Sequence, residues 1–119
     1  MKKEIETKNI DKIIDVLSDF LANKNSMTNK GFLVFLPTDI LQYFTVESQN
    51  NIRLVLEDIV HGMIETTSNG MIENNFDVVF AANSLPRLGL DKTNVLIAEL
   101  FGVNFLGPVV LVSKKLLQK

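Results

Sequence analysis

The clearest pattern of apolar and polar positions lies near the start of the chain, where apolar side chains recur every three or four residues. This spacing places them on one stripe of an α-helix, so a helix is predicted over Ile10–Leu21. The preceding residue Asn9, or Thr7, can cap the helix by accepting hydrogen bonds from the free N–H groups of its first turn. The residues of the stripe are Ile10, Ile13, Ile14, Leu17, Phe20 and Leu21.

Three shorter runs are apolar at nearly every position, which is typical of strands buried inside a sheet. They cover Gly31–Leu36, Phe76–Ala82 and Val109–Val112. A helix is predicted from about Asn94, capped by Asp91 or Thr93 and ending before Gly102, because glycine is common just past a helix end. Residues 23–30 are polar and predict a loop. Thr38 or Asp39 predicts the start of a brief helix through Phe44.

The segment Ile52–Ile64 fits both helical and strand periodicity. The turn that follows favours a strand for its second half, because Asn69-Gly70 suits the two positive-φ positions of a type I′ hairpin turn. A two-residue turn would place four side chains on one buried face of the hairpin. These are Met63, Thr67, Ile72 and Phe76.

The interleaved helices and strands, together with this hairpin, predict an α+β fold with a mixed sheet or small barrel and flanking helices. The sheet is expected not to be purely parallel. The alternative makes residues 48–64 helical and gives an α/β three-layer sandwich with a mostly parallel sheet. The polar N-terminus is expected to be helical.

Length and composition indicate a single domain over residues 1–119. Cysteine and tryptophan are absent and His61 is the only histidine, which removes most of the side chains used in nucleophilic and metal sites. No apolar run approaches the ~20 residues of a membrane span, and the N-terminus does not have the pattern of a signal peptide. We therefore expect a cytoplasmic protein without enzymatic activity, cofactor, metal or membrane partner.

Charge is distributed unevenly along the chain. Residues 31–86 carry seven acidic side chains against one arginine, whereas residues 87–119 carry five basic side chains against two acidic ones. If the two chain ends lie together, their basic side chains can track a phosphate backbone. The predicted RNA contacts are Lys2, Lys3, Arg87, Lys114, Lys115 and Lys119.

Two further sites come from local patterns. In the loop Asn83–Leu90, the side chains of Asn83, Ser84 and Arg87 offer hydrogen-bond donors to a ligand, although no glycine-rich phosphate motif is present. Around His61, a helix would align Glu57 and Glu65 on the same face, a spacing that can hold a divalent cation. An ordinary surface histidine is the favoured interpretation of His61.

The chain as a whole resembles the PrgU-like proteins, which are encoded beside aggregation adhesins on conjugative plasmids of Gram-positive bacteria. The resemblance rests on the first helix (KNIDKIIDVLSDFL) and on the segments GFLVFLPTDI, FDVVFAAN and GPVVLVSKK. It implies a PUA-like pseudo-barrel and a role as an RNA-binding regulator that restrains adhesin production.

Two functional hypotheses follow. The first is a non-enzymatic regulator that contacts RNA through a basic surface built from the termini and Arg87. The second is a protein-interaction module, homodimeric and without a nucleic-acid role. Eight Phe and four Met in a small chain favour it, because one small core is not expected to bury them all.

Overall fold

A computed structural model describes residues 1–47, 51–67, 76–81 and 92–118. They form six strands, five α-helices and a 3-10 turn at Lys24–Ser26. The strands are β1 (Lys2–Thr7), β2 (Gly31–Phe35), β3 (Leu41–Thr45), β4 (Ile64–Thr67), β5 (Phe76–Ala81) and β6 (Val109–Ser113). The helices are α1 (Ile10–Leu21), α2 (Met27–Lys30), α3 (Ile52–Val60), α4 (Val95–Phe101) and α5 (Lys114–Leu117). No helix among these residues is long and apolar enough to span a membrane.

All six strands belong to one open sheet in the order β1-β3-β2-β6-β5-β4. Its five ladders are antiparallel. The α+β class is therefore confirmed, as is the expectation that the sheet is not purely parallel. The mixed sheet was wrong, because no parallel ladder joins neighbouring strands of the described sheet.

Helices cover both faces of the sheet. On one face α1 and α4 pack against the odd-numbered residues of β2 and β6, such as Leu33 and Leu111. On the other face α3 and α5 pack against even-numbered residues such as Val34 and Val110. The layering matches the three-layer alternative, but the antiparallel ladders contradict its mostly parallel sheet. The central strands β2 and β6 are buried at every position because each face meets helices.

Five predicted elements agree closely with the structure. Helix α1 has the predicted bounds, and the Asn9 side chain accepts from the N–H groups of Asp11 and Lys12. Strands β2, β5 and β6 lie within one or two residues of their predicted limits. Helix α4 ends at Gly102 in the left-handed conformation (φ 69°), but its cap is Asn94 rather than Asp91 or Thr93.

Other predictions were wrong for identifiable reasons. The N-terminus forms β1, an edge strand whose polar side chains hide the strand pattern. Residues 38–40 form a turn with Asp39 at φ 64°, and the chain returns as β3 instead of a helix. Residues 23–30 are not a loop, since they contain the 3-10 turn and α2.

The segment around α3 resolves the ambiguity in favour of a helix. Helix α3 continues to Val60, capped by the Asn51 side chain, and the strand begins only at Ile64. Asn69-Gly70 and Ile72 lie outside the described residues. Strands β4 and β5 do pair antiparallel, but Thr67 lies opposite Val78, which excludes the register of a two-residue turn. Met63 is 76% exposed, so the predicted buried face was wrong there, whereas Phe76 is buried.

Candidate nucleic-acid interface

One end of the sheet gathers lysines from both ends of the chain. Lys2 pairs with Thr45, Thr45 with Gly31, and on the other side of the sheet Phe76 pairs with Ser113. Strands β1, β2 and β5 begin at this end, while β3 and β6 finish there. Lys114 and Lys115 follow β6 directly, and Lys30 immediately precedes β2. We call the set Lys2, Lys30, Lys114 and Lys115 the lysine end.

The N-terminal strand and the described C-terminal residues thus reach the same end of the sheet, but they are not in contact. Strands β3 and β2 separate β1 from β6. Three strand spacings of about 4.8 Å place the two strands on the order of 14 Å apart. This gap is too wide for Lys2 to contact Lys114 or Lys115, but a bound nucleic-acid backbone can span it. Lys30 lies between Lys2 and the two C-terminal lysines.

Lys3 departs from this group. It lies opposite Phe44, on the face that packs against α3 and α5, whereas Lys2 lies opposite Thr45. Its ammonium is 3.3 Å from a carboxylate oxygen of Glu6. The pKa of Glu6 is lowered chiefly by a hydrogen bond from the Gln42 amide and, to a smaller extent, by one from Lys3. Lys3 is therefore occupied within its own strand edge.

A short, tightly turned segment follows α1 and forms the floor of the lysine end. Asn23, Asn25 and Ser26 all adopt left-handed backbone conformations, with φ between 54° and 60°. The Asn23 side-chain oxygen accepts from the N–H of Thr28 at 3.0 Å and from its hydroxyl at 2.7 Å. Asparagine tolerates the left-handed region better than most residues, which explains this asparagine-rich sequence.

A second hydrogen-bonded pair fastens this segment to the end of β6. The Ser113 hydroxyl donates to the Thr28 carbonyl at 3.0 Å and accepts from the N–H of Leu116, capping α5. Both Thr28 and Ser113 are buried. No buried side-chain polar atom in the described part of the chain is without a hydrogen-bond partner. The segment is therefore held in place by internal bonds rather than by solvent.

A cavity of about 310 Å³ lies between α1, α2 and α5. Two of the predicted RNA contacts, Lys114 and Lys115, line it together with polar and apolar side chains that the sequence did not single out. The full lining is Leu21, Asn23, Thr28, Asn29, Phe76, Ser113, Lys114 and Lys115. We call it the lysine-end cavity.

Charge pairing differs among the lysines at this end of the molecule. Lys2 lies 3.7 Å from Glu4, and Lys24 lies 3.8 Å from Asp19, both at exposed positions. Exposed pairs of this kind contribute little and are easily exchanged for another anion. Within the described ranges, neither Lys30 nor Lys115 has an ion-pair partner, and both are exposed. Their charges face solvent.

A second, more open cavity of about 410 Å³ lies on the other side of the same segment, toward β1. The Tyr43 hydroxyl donates to the Met27 carbonyl at 2.9 Å beside it. Burial, followed by the charge of Glu4, raises the pKa of Tyr43. Two carboxylates, of Asp19 and Glu4, line this cavity with Lys30, so it is less suited to an anion than the lysine-end cavity.

The other candidates from the sequence are the side chains of the Asn83–Leu90 loop, Lys119 and His61. Asn83, Ser84, Arg87 and Lys119 lie outside the described residues. His61 is exposed and ends α3 in a left-handed conformation with φ 61°. The helix does not continue to Glu65, so the helical alignment of Glu57, His61 and Glu65 was wrong. The described residues contain no cluster of three or more His, Asp or Glu side chains able to hold a metal ion.

Sequence reasoning missed Asn23, Asn29 and Lys30 because their segment was interpreted as a plain loop. The available signal was the repeated asparagine in Asn23-Lys24-Asn25, a residue favoured at left-handed positions. Comparison with protein-family models, with curated proteins and with solved structures finds no match to this chain.

Proposed function

We propose that the protein is a non-enzymatic, cytoplasmic RNA-binding regulator that contacts RNA through the lysine end. The observation that carries the proposal is the placement of Lys114 and Lys115 beside a cavity, at the same end of the sheet as Lys2 and Lys30. Its resemblance to the PrgU-like proteins supports a PUA-like fold and the restraint of surface-adhesin production as the biological output. Both belong to the proposal.

Electrostatics support this surface. Lysine ammonium groups bind RNA phosphates and release condensed counterions, which gives affinity without sequence preference. Of the acidic side chains of the middle segment, Asp39 is in the turn at the opposite end of the sheet and Glu57 and Asp58 are on α3, whereas Glu47 follows β3 at the lysine end. A locally basic end on a chain of net charge −2 favours binding in one orientation.

The test is fluorescence anisotropy with a labelled single-stranded RNA at low and at moderate salt. The double variant Lys114→Ala/Lys115→Ala is expected to bind more weakly across all sequences. Removing two phosphate contacts should also lower the salt slope by about 1.4, at roughly 0.7 per contact for a single strand.

The matched control is Lys8→Ala/Lys12→Ala. It makes the same charge change at exposed positions near the opposite end of the sheet, where β1 finishes and α1 begins. We expect it to retain most of the affinity and the original slope. Equal losses in both double variants, or no binding by the unchanged protein at low salt, would contradict the proposal.

The alternative function is a homodimeric protein-interaction module without a nucleic-acid role. Its support is one flank of α1, where Ile10 and Ile14 are 48% and 46% exposed although they belong to the apolar stripe. Leu21 is exposed on the same flank. Sedimentation at high micromolar concentration tests it, because a monomer throughout would remove self-association, and a dimer disrupted by Ile14→Gln would support it.

A further inference from the structure

We infer that the lysine-end cavity receives one unpaired nucleobase of the bound RNA, so that the protein prefers single-stranded RNA to duplex RNA. This inference rests on the proposed function and adds the kind of RNA that the site accepts. It is carried by the size of the cavity, the composition of its walls and the position of the lysines at its rim.

Size is the first argument. A volume of about 310 Å³ is at the lower limit of pockets that hold small organic ligands, which range from roughly 300 to 1,000 Å³. Such a space suits one base with part of its ribose. A stacked and paired duplex cannot enter it, because its bases are held inside the helix, whereas bases of loops and single strands are free to turn outward.

The walls are chemically divided. Leu21 and Phe76 give apolar surface, and Phe76 is held in position by the ring of Phe20, with ring centroids 5.6 Å apart. Asn23 and Asn29 give side-chain amides. A nucleobase is an apolar plate with a polar edge, so it needs both kinds of wall, while a phosphate alone would have no use for the apolar one.

Only some of the polar groups that line the lysine-end cavity remain able to bond a ligand. The hydroxyls of Thr28 and Ser113 are already used within the protein, and the Asn23 oxygen accepts two bonds from Thr28. Among the residues that the structure describes, no hydrogen bond uses the amide NH₂ of Asn23 or either end of the exposed Asn29 amide, so these groups are left for a ligand. An asparagine amide offers one donor and one acceptor side by side, which matches the donor–acceptor edge of a base.

The lysines complete the arrangement from outside. Lys115 is exposed, and Lys114 is half-buried next to it. Phosphates on either side of an inserted base remain in solvent, where these ammonium groups can meet them. Because the cavity walls are already fastened by the Asn23–Thr28 and Thr28–Ser113 bonds, little ordering is required when a base enters.

The first experiment observes the cavity directly. Side-chain amide signals of a ¹⁵N-labelled sample are followed by NMR while the four nucleoside 5′-monophosphates are added, with ribose 5-phosphate as the control that has no base. We expect the signals of Asn23 and Asn29 to shift with the nucleotides and to stay in place with ribose phosphate. Equal shifts with ribose phosphate, or no shift with any nucleotide, would overturn the inference.

The second experiment fills the cavity without changing charge. Asn29→Phe places a ring at an exposed position of the lining, and Asn104→Phe makes the same change at an exposed position near the opposite end of β6. We expect Asn29→Phe to weaken single-stranded RNA binding about tenfold, as loss of one stacked base does, and to remove the preference over duplex. Asn104→Phe should bind like the unchanged protein.

The two proposals fail in different ways. If the unchanged protein binds RNA with a steep salt dependence, but Asn29→Phe binds single strands equally well, the base-binding inference is wrong and the lysine end remains an RNA surface. If the unchanged protein binds neither single-stranded nor duplex RNA at low salt, the proposed function itself is wrong.

Discussion

The two ends of the sheet use asparagine in opposite ways. At the end where β6 begins, Asn94 is fully buried, accepts from the N–H of Ile97, and donates to the carbonyls of Phe35 and Gly107 at 2.7 and 2.9 Å. At the lysine end, Asn29 is exposed beside a cavity, and within the described part of the chain the Asn23 side chain is bonded only through its oxygen. Asn94 therefore uses its hydrogen bonds to join α4 to the segments at the end of β2 and before β6, whereas Asn23 and Asn29 keep donors available. Asparagine has a structural role at one end of the sheet and a proposed binding role at the other.

The largest effect is expected at Gly31, the first residue of β2. A Cβ atom there would lie 2.0 Å from the carbonyl oxygen of Phe44, an atom of the neighbouring strand that cannot turn aside. Gly31→Ala should therefore lower the free energy of unfolding by about 3 kcal/mol or more, since the ladder between β2 and β3 must open. Urea denaturation measures it. Near-native stability would show that the backbone around Gly31 at the lysine end moves apart at little cost.

Asn94→Ala tests the opposite end. It removes the cap of α4 and leaves the carbonyls of Phe35 and Gly107 without that donor, so a loss of about 3 kcal/mol in unfolding free energy is expected. The RNA affinity of the folded protein should be unchanged, because Asn94 lies at the end of the sheet opposite the lysine end. A stable variant with weakened RNA binding would reverse the roles assigned to the two ends.

Asn94→Asp sharpens the same test. The aspartate keeps the cap oxygen but replaces the NH₂ donor by an oxygen that faces two carbonyls, so its charged form is disfavoured and its protonated form can still donate. Its folded-state pKa should lie above the unfolded value. The stability of this variant should therefore be highest below the unfolded pKa and fall as pH rises through the folded pKa, which denaturation at several pH values detects.

Tyr43, beside the second cavity, carries the smallest predicted effect. Because its pKa is raised by burial and by Glu4, the folded protein holds the phenol proton more tightly than the unfolded chain does. Stability from this group is fully present below the unfolded pKa and is lost as pH rises toward the folded value. Tyr43 is the only tyrosine and tryptophan is absent, so tyrosinate absorbance reports the titration directly. An unshifted titration would show that this side of the segment is open to solvent.

The elements that sequence predicted well are those with a local cause. Asn9 caps α1, Gly102 ends α4, and the continuous apolar run of β2 indicates burial on both faces. Strand β1 was missed because it has one neighbour and exposed lysines and glutamates, so its residues show no apolar alternation. The exposure of Ile10 and Ile14 was also missed, since periodicity gives a stripe but not the side of it that meets the sheet.

The candidate site was predictable only in part. Lys114 and Lys115 were identified from charge. That they share an end of the sheet with Lys2 depends on the strand order, which the sequence does not reveal. Asn23 and Asn29 acquire their importance from the cavity between α1, α2 and α5, which brings together residues from four parts of the chain. No local pattern encodes such a contact.

The position of β6 in the sheet has a consequence for how the chain acquires its structure. Strand β6 lies between β2 and β5 in the sheet and, like β2, is buried at every position. In the sequence, however, it follows all the other strands, at residues 109–113. During synthesis the β2–β3 hairpin is complete at Thr45, and the apolar edge of β2 stays uncovered until the following 68 residues, through Ser113, have been added. Folding that depends on so distant a pairing is slow, and the nascent chain is exposed to chaperones and proteases for most of its synthesis.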